Sequence, residues 1–137
     1  LGQDRIHDYH PYRSLIDAGV VVSAGSDHMV RFDDRTSINP YSPWLAMWTM
    51  VTRHTERGSV IEPGQAITRE EALRSYTVNN ALATFSEQEK GSLTPGRLAD
   101  FIVLDRDYFS CPEDEIRDIR VLKTVVGGKA VWQAEQG

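Results

Sequence analysis

The chain has 137 residues, a formal net charge of −5, 40% hydrophobic residues and a single cysteine. That length allows one ordinary core, and acidic and basic residues are mixed along it, leaving no basic cluster for nucleic acid. No apolar run approaches the roughly 20 residues of a membrane span, no signal peptide is visible, and the lone Cys111 excludes an internal disulfide and suits a reducing, cytoplasmic compartment.

Residues 1–10 are polar and rich in Asp, Arg and His, which predicts a loop leading into a helix at about Pro11–Ala18. Proline fits the first helical turn, where its missing N–H costs nothing. His7 and His10 are three apart and would share a helix face. Pro11 biases His10 away from helical geometry, and no carboxylate or cysteine pattern completes a metal site around the pair. Gly19 breaks the helix. Val20, Val21 and Val22 form a β-branched run apolar on both faces, which predicts a strand buried on both sides, as in a parallel sheet. Ala24, Gly25 and Ser26 are small enough for another group to approach closely. Asp27 stands just past the strand's carboxyl end, where barrels and open α/β sheets collect catalytic and ligand groups. Capping of a helix or turn after the strand is the other role open to it.

His28–Ser42 is a long irregular stretch with turn signals at Asp33-Asp34, Asn39-Pro40 and Ser42-Pro43. Loops of this length in compact domains are usually functional. A helix is predicted from Pro43 with Ser42 as N-cap, its apolar face made by Trp44, Leu45, Met47, Trp48 and Val51, which the helical spacing assigns to core packing. Arg53–Gln65 reads as loop. Thr68-Arg69-Glu70-Glu71 is a capping box opening a helix expected to run from Arg69 to about Phe85. Asn79-Asn80 falls inside that helix, where asparagine is unusual because it competes for backbone hydrogen bonds.

After the charged linker Glu87–Lys90 the character changes. Thr94-Pro95-Gly96-Arg97 places proline and glycine where a type II turn needs them. Ala99–Leu104 reads as a buried strand, and Ser110–Glu115 as a helical turn with acids at its positive end. Cys111 within it is read as structural, since its acidic surroundings are not those of an activated thiol. Val121–Val126 reads as a strand, Gly127-Gly128 as a two-residue hairpin turn and Lys129–Trp132 as the returning strand.

Four stretches in this order resemble the metal-dependent amidohydrolase superfamily, in particular amidohydrolase family 3, with its N-substituted formamide deformylase-like enzymes. They are Ala-Gly-Val-Val-Val-Ser-Ala-Gly-Ser-Asp at 18–27, Thr-Arg-Glu-Glu-Ala-Leu-Arg-Ser-Tyr-Thr-Val-Asn-Asn-Ala at 68–81, Lys-Gly-Ser-Leu-Thr-Pro-Gly-Arg-Leu-Ala-Asp-Phe-Ile-Val-Leu-Asp at 90–105 and Thr-Val-Val-Gly-Gly-Lys-Ala-Val-Trp at 124–132. The resemblance implies an α/β fold: a carboxyl-terminal segment of a (β/α)8 barrel followed by strands of the flanking small β-sandwich. Residues 1–86 would be the last βα units of the barrel and 87–137 the carboxyl-terminal part of the sandwich. A whole barrel takes roughly 250 residues, so the resemblance implies a portion of a longer enzyme. The missing amino-terminal part of the same enzyme would then be a partner. Exposed apolar surface and open strand edges are expected, and a homo-oligomer is another arrangement that would cover them.

The resemblance matches Asp27 to the family's strand-eight aspartate, which contacts a divalent metal, usually zinc, takes the proton of the bound water and delivers it to the leaving nitrogen. His28, Asn39 and Tyr41 would lie at the barrel mouth as substrate-binding residues. For Asn79-Asn80 the resemblance implies packing or local bonding, not catalysis. The substrate implied is a small-molecule amide, the cofactor zinc in the full-length enzyme. No metal is expected in the chain alone, because nothing in it matches the family's His-x-His pair or later histidines. The alternative is a non-catalytic truncated module that folds or oligomerises without metal chemistry. A third is a superfamily hydrolase acting on a cyclic amide or as a deaminase.

Overall fold

In the computed structural model, which describes residues 9–27 and 41–135, helices come first and a small sheet follows. Helix α1 is Tyr12–Asp17, with Arg13 and Asp17 paired across one turn at 2.8 Å. Pro11 occupies the N-cap position and not the first turn as expected, its ψ of 58° lying outside the helical region. Gly19, at φ +78°, ends the helix with its N–H on the Ile16 carbonyl at 2.9 Å.

Helix α2 is Pro43–Thr52. The Ser42 hydroxyl accepts the Leu45 N–H at 3.4 Å, and Pro43 takes the first position, as predicted. Its Trp44, Leu45, Met47, Trp48 and Met50 are buried. They form the core with Ile67, Ala72, Tyr108, Ile116 and Ile119. Ile116 comes from a 3-10 turn at Glu113–Asp118, which starts later than the sequence predicts and packs along α2. The Arg117 guanidinium lies 4.7 Å from the centre of the Trp48 ring.

Helix α3, Arg69–Tyr76, opens with the predicted capping box: Thr68 Oγ1 accepts the Glu71 N–H at 3.2 Å and the Glu71 carboxylate accepts the Thr68 N–H at 2.8 Å. The expected single helix is two, with α4 at Val78–Ala83. Thr77 breaks it at φ −125°, ψ −89°. Its hydroxyl donates to the Leu73 carbonyl at 2.8 Å, and its N–H turns to Arg74 at 3.2 Å. A threonine bonding back onto the preceding turn, followed by β-branched Val78 and two asparagines, weakens the helix where it breaks.

The tail is a three-stranded antiparallel sheet, ordered β1 (Phe101–Leu104), β2 (Val121–Val126), β3 (Lys129–Gln133). Phe101 pairs with Val125 and Val103 with Lys123; Val126 pairs with Lys129 beside the turn. Gly96 at φ +92°, with the Arg97 N–H on the Thr94 carbonyl at 3.2 Å, forms the predicted type II turn. Strand β1 is not buried as expected. Phe101, Ile102 and Val103 are 38–44% exposed, because the sheet is a single layer with no second layer over it among the described residues.

Gly127 and Gly128 turn the hairpin at φ +56° and +76°, both in the left-handed region that a type I′ turn requires. Valine at both positions would place β-branched side chains where L residues lose about 1–2 kcal/mol each. The double substitution is expected to lower the melting temperature by several degrees. An unchanged melting temperature would show that these φ values do not hold the turn.

Candidate active-site segment

The segment carrying Asp27 leaves α1 at Val20, whose N–H bonds the Leu15 carbonyl at 2.9 Å. From Val21 to Asp27 burial alternates. Val22, Ala24 and Ser26 are half-buried, while Val21, Ser23, Gly25 and Asp27 are exposed. That period of two is the signature of extended chain with one face packed. The sequence predicts a strand buried on both faces here; Val20 and Val21 are instead 49% and 54% exposed, and no strand pairs with them among the described residues. A strand exists through its neighbours' backbone groups, and here two helices stand in for them. The Asn79 amide donates to the Val22 carbonyl at 2.8 Å and the Asn80 amide to the Ala24 carbonyl at 3.0 Å. Ser23 Oγ donates to the Asn79 carbonyl at 3.1 Å, and the Ala24 N–H to the Ser75 carbonyl at 3.0 Å. The asparagine pair thus bonds carbonyls 57 and 56 residues away, a long-range tether and not the local bonding that the sequence reading offered beside packing.

Helix α1, at the other end of the segment, is fixed as firmly. Arg13 Nη1 bonds both Glu71 carboxylate oxygens at 2.9 Å. The Ser14 N–H and hydroxyl bond the Gln65 amide at 3.0 and 2.8 Å. Desolvation pushes the Glu71 carboxyl up, but the bonds from Thr68 and Arg13 together hold it below the usual carboxylate range.

Asp27 has φ +46°, a left-handed conformation that aspartate tolerates better than most residues. A Cβ on Gly25 would meet nothing within 4 Å, so no described group makes the close approach that these small residues permit. Tyr41 is 46% exposed and directly precedes the Ser42 cap. His28 and Asn39 lie outside the described residues, as do His7 and most of the long loop. His10, the other half of the histidine pair, contacts the Tyr9 and Tyr12 rings at 4.2 and 5.4 Å. Desolvation first and the Arg53 charge second depress its pKa. Among the described residues no group of three or more His, Cys, Asp or Glu is arranged to hold a metal ion.

Arg53 is the residue that sequence reading missed. It follows α2 in a stretch read as polar loop, yet it is only 2% exposed. Its Nε donates to the Ile61 carbonyl at 2.9 Å and its Nη2 to the Tyr9 carbonyl at 3.0 Å, and it stands 5.3 Å over the Tyr12 ring. It therefore ties the end of α2 to the start of α1. Nothing local in the sequence marks this: Ile61 lies eight residues on, past a turn, and Tyr9 lies 44 residues back.

Two grooves flank this framework, and Asp27 lines neither. One of about 160 Å³ lies between the Val20–Val22 segment and α3. The larger, about 770 Å³, runs between α3–α4 and β1, with Tyr76, Leu93, Phe101, Ile102 and Phe109 on its walls.

The model of the amidohydrolase family matches residues 1–132. An N-substituted formamide deformylase from Arthrobacter pascens is 45% identical over 118 residues, which are 86% of this chain and 20% of that protein. The putative amidohydrolase YtcJ of Bacillus subtilis is 28% identical over 136 residues, 97% of this chain and 24% of its own length. An amidohydrolase from Thermotoga maritima, known from its crystal structure, superposes with a TM-score of 0.64 over 94% of this chain and 26% of its own, at 19% identity, a likeness of fold. The chain thus spans a fifth to a quarter of the length of these proteins. With a family match that runs almost end to end and an antiparallel tail behind a helical framework of the same fold, this chain belongs to the amidohydrolase family.

Proposed function

We propose that this chain is the carboxyl-terminal part of a metal-dependent amidohydrolase that hydrolyses amide-type C–N bonds of a small molecule. The observation that carries the reading is the family match over residues 1–132, together with the 45% identity to a formamide deformylase. In this reading residues 1–86 are the last βα units of a (β/α)8 barrel and 87–137 belong to a flanking β-sandwich. The two parts meet where α2 packs on Ile116 and Ile119. The preceding part of the same polypeptide is the proposed occupant of the 770 Å³ apolar groove, since this chain accounts for only 20–24% of the length of its curated relatives. The proposed compartment is the cytoplasm.

The described residues do not by themselves fit a metal. Zinc takes three or four protein ligands, and Asp27 is not joined by such a set. In this reading the zinc belongs to the whole enzyme. The role proposed for Asp27 concerns the proton. Its carboxylate takes one from the attacking water and returns it to the departing nitrogen, general base and then general acid at one oxygen atom. Its exposed place at the end of a tethered segment supports that role. His28, Asn39 and Tyr41 are proposed to contact the substrate.

A family-length polypeptide carrying this chain is expected to hydrolyse an N-substituted formamide or a related small amide, and to lose that activity on chelation and regain it with added zinc. Absence of hydrolysis across such a panel, from a folded and metal-loaded protein, would overturn the reading. The 137-residue chain alone is expected to show no turnover.

A further inference from the structure

The geometry points to Asn79 and Asn80 as positioning residues for Asp27, an inference that rests on the catalytic role proposed for that aspartate. The segment Val22–Ala24 has no paired strand among the described residues, yet four hydrogen bonds tie it to α4 and the end of α3. Two are side-chain amides on carbonyls, Asn79 to Val22 at 2.8 Å and Asn80 to Ala24 at 3.0 Å. The third returns from Ser23 Oγ to the Asn79 carbonyl at 3.1 Å. The fourth runs from the Ala24 N–H to Ser75, a residue 1% exposed whose own hydroxyl is held by the Ala72 carbonyl at 2.7 Å. Ser75 is thus part of the rigid framework, and the tether hangs on buried structure.

Both amide bonds are donated by asparagine side chains, and two consecutive residues reach carbonyls two residues apart, Val22 and Ala24. Asp27 follows Ala24 by three residues, the chain between them bearing only Gly25 and Ser26. A chain that short passes on any displacement at Ala24, and misplacement of a reacting group by about 1 Å costs on the order of 100-fold in rate. The break at Thr77 belongs to the same device, because it separates α4, which carries both asparagines, from α3.

The test uses Asn79→Asp and Asn80→Asp, which keep size and remove the donor. In the family-length enzyme each is expected to lower kcat about 10–100-fold with KM within twofold and melting temperature within a few degrees. In the 137-residue chain the Ala24 amide is expected to exchange hydrogen at least tenfold faster, with the β2–β3 amides unchanged. Should either variant melt early, Ser23→Ala loosens the same tether from the opposite side and is expected to lower kcat several-fold. Wild-type kcat in these variants, beside an inactive Asp27→Asn enzyme, would overturn the positioning role alone. Undiminished Ala24 protection would do the same. Full turnover in Asp27→Asn would instead overturn the catalytic reading on which this inference stands.

Discussion

Asp27→Asn is expected to lower turnover by about 10²–10⁴-fold, the usual share of general acid–base catalysis, while leaving the fold intact. Asparagine matches aspartate in size and keeps one acceptor oxygen, but its amide nitrogen replaces the second and it cannot hold the proton between attack and departure. The backbone argument favours a clean result. Residue 27 sits at φ +46°, and asparagine accepts the left-handed region at least as readily as aspartate, so the change adds no strain. Asp27 is also exposed, so no core contact is lost. The measurement is turnover of the family-length variant on an amide that the wild type hydrolyses, beside its melting temperature. Turnover within a few-fold of wild type and a collapsed melting temperature would make Asp27 a structural cap.

Ile116→Ala is expected to have the opposite signature: about 2–5 kcal/mol of lost stability and unchanged turnover per folded molecule. Ile116 is fully buried, and its side chain fills the surface that the Glu113–Asp118 turn shares with α2. Truncation removes apolar contact and leaves a cavity that Met47 and Trp48, themselves 1% and 2% exposed, have little room to fill. A domain of this size holds a total of about 5–15 kcal/mol, so the loss is a large part of it. Urea unfolding would show it as a lower midpoint at constant slope. A change under about 1 kcal/mol would mean that the turn does not share a packed core with α2.

These two substitutions divide the molecule between what its sequence states locally and what distant parts must supply. The Ser42 cap, the Thr68–Glu71 box, the Thr94–Arg97 turn and the Gly127-Gly128 hairpin were all legible in the sequence. Each is settled within a few residues by φ preference or by a side chain reaching an N–H three positions on. The family resemblance was legible for a related reason: short motifs of fixed order survive when a chain is read alone. The place of Asp27 after a valine run was also visible. The state of that run was not. Its packing and bonding come from Asn79 and Asn80, which lie 57 and 56 residues away from the carbonyls they hold, and no periodicity in Val20–Val22 encodes them. Arg53 is buried by Tyr9, Tyr12 and Ile61, and β1 is exposed because nothing described covers it. Thr77 ends a helix that its neighbours' apolar spacing would have continued, because its hydroxyl bonds back to Leu73 and α4 turns to meet the Asp27 segment. Local propensity therefore determined where elements begin and turn, while tertiary structure decided which of them are buried, because burial and strand pairing depend on groups that meet only once the chain has folded.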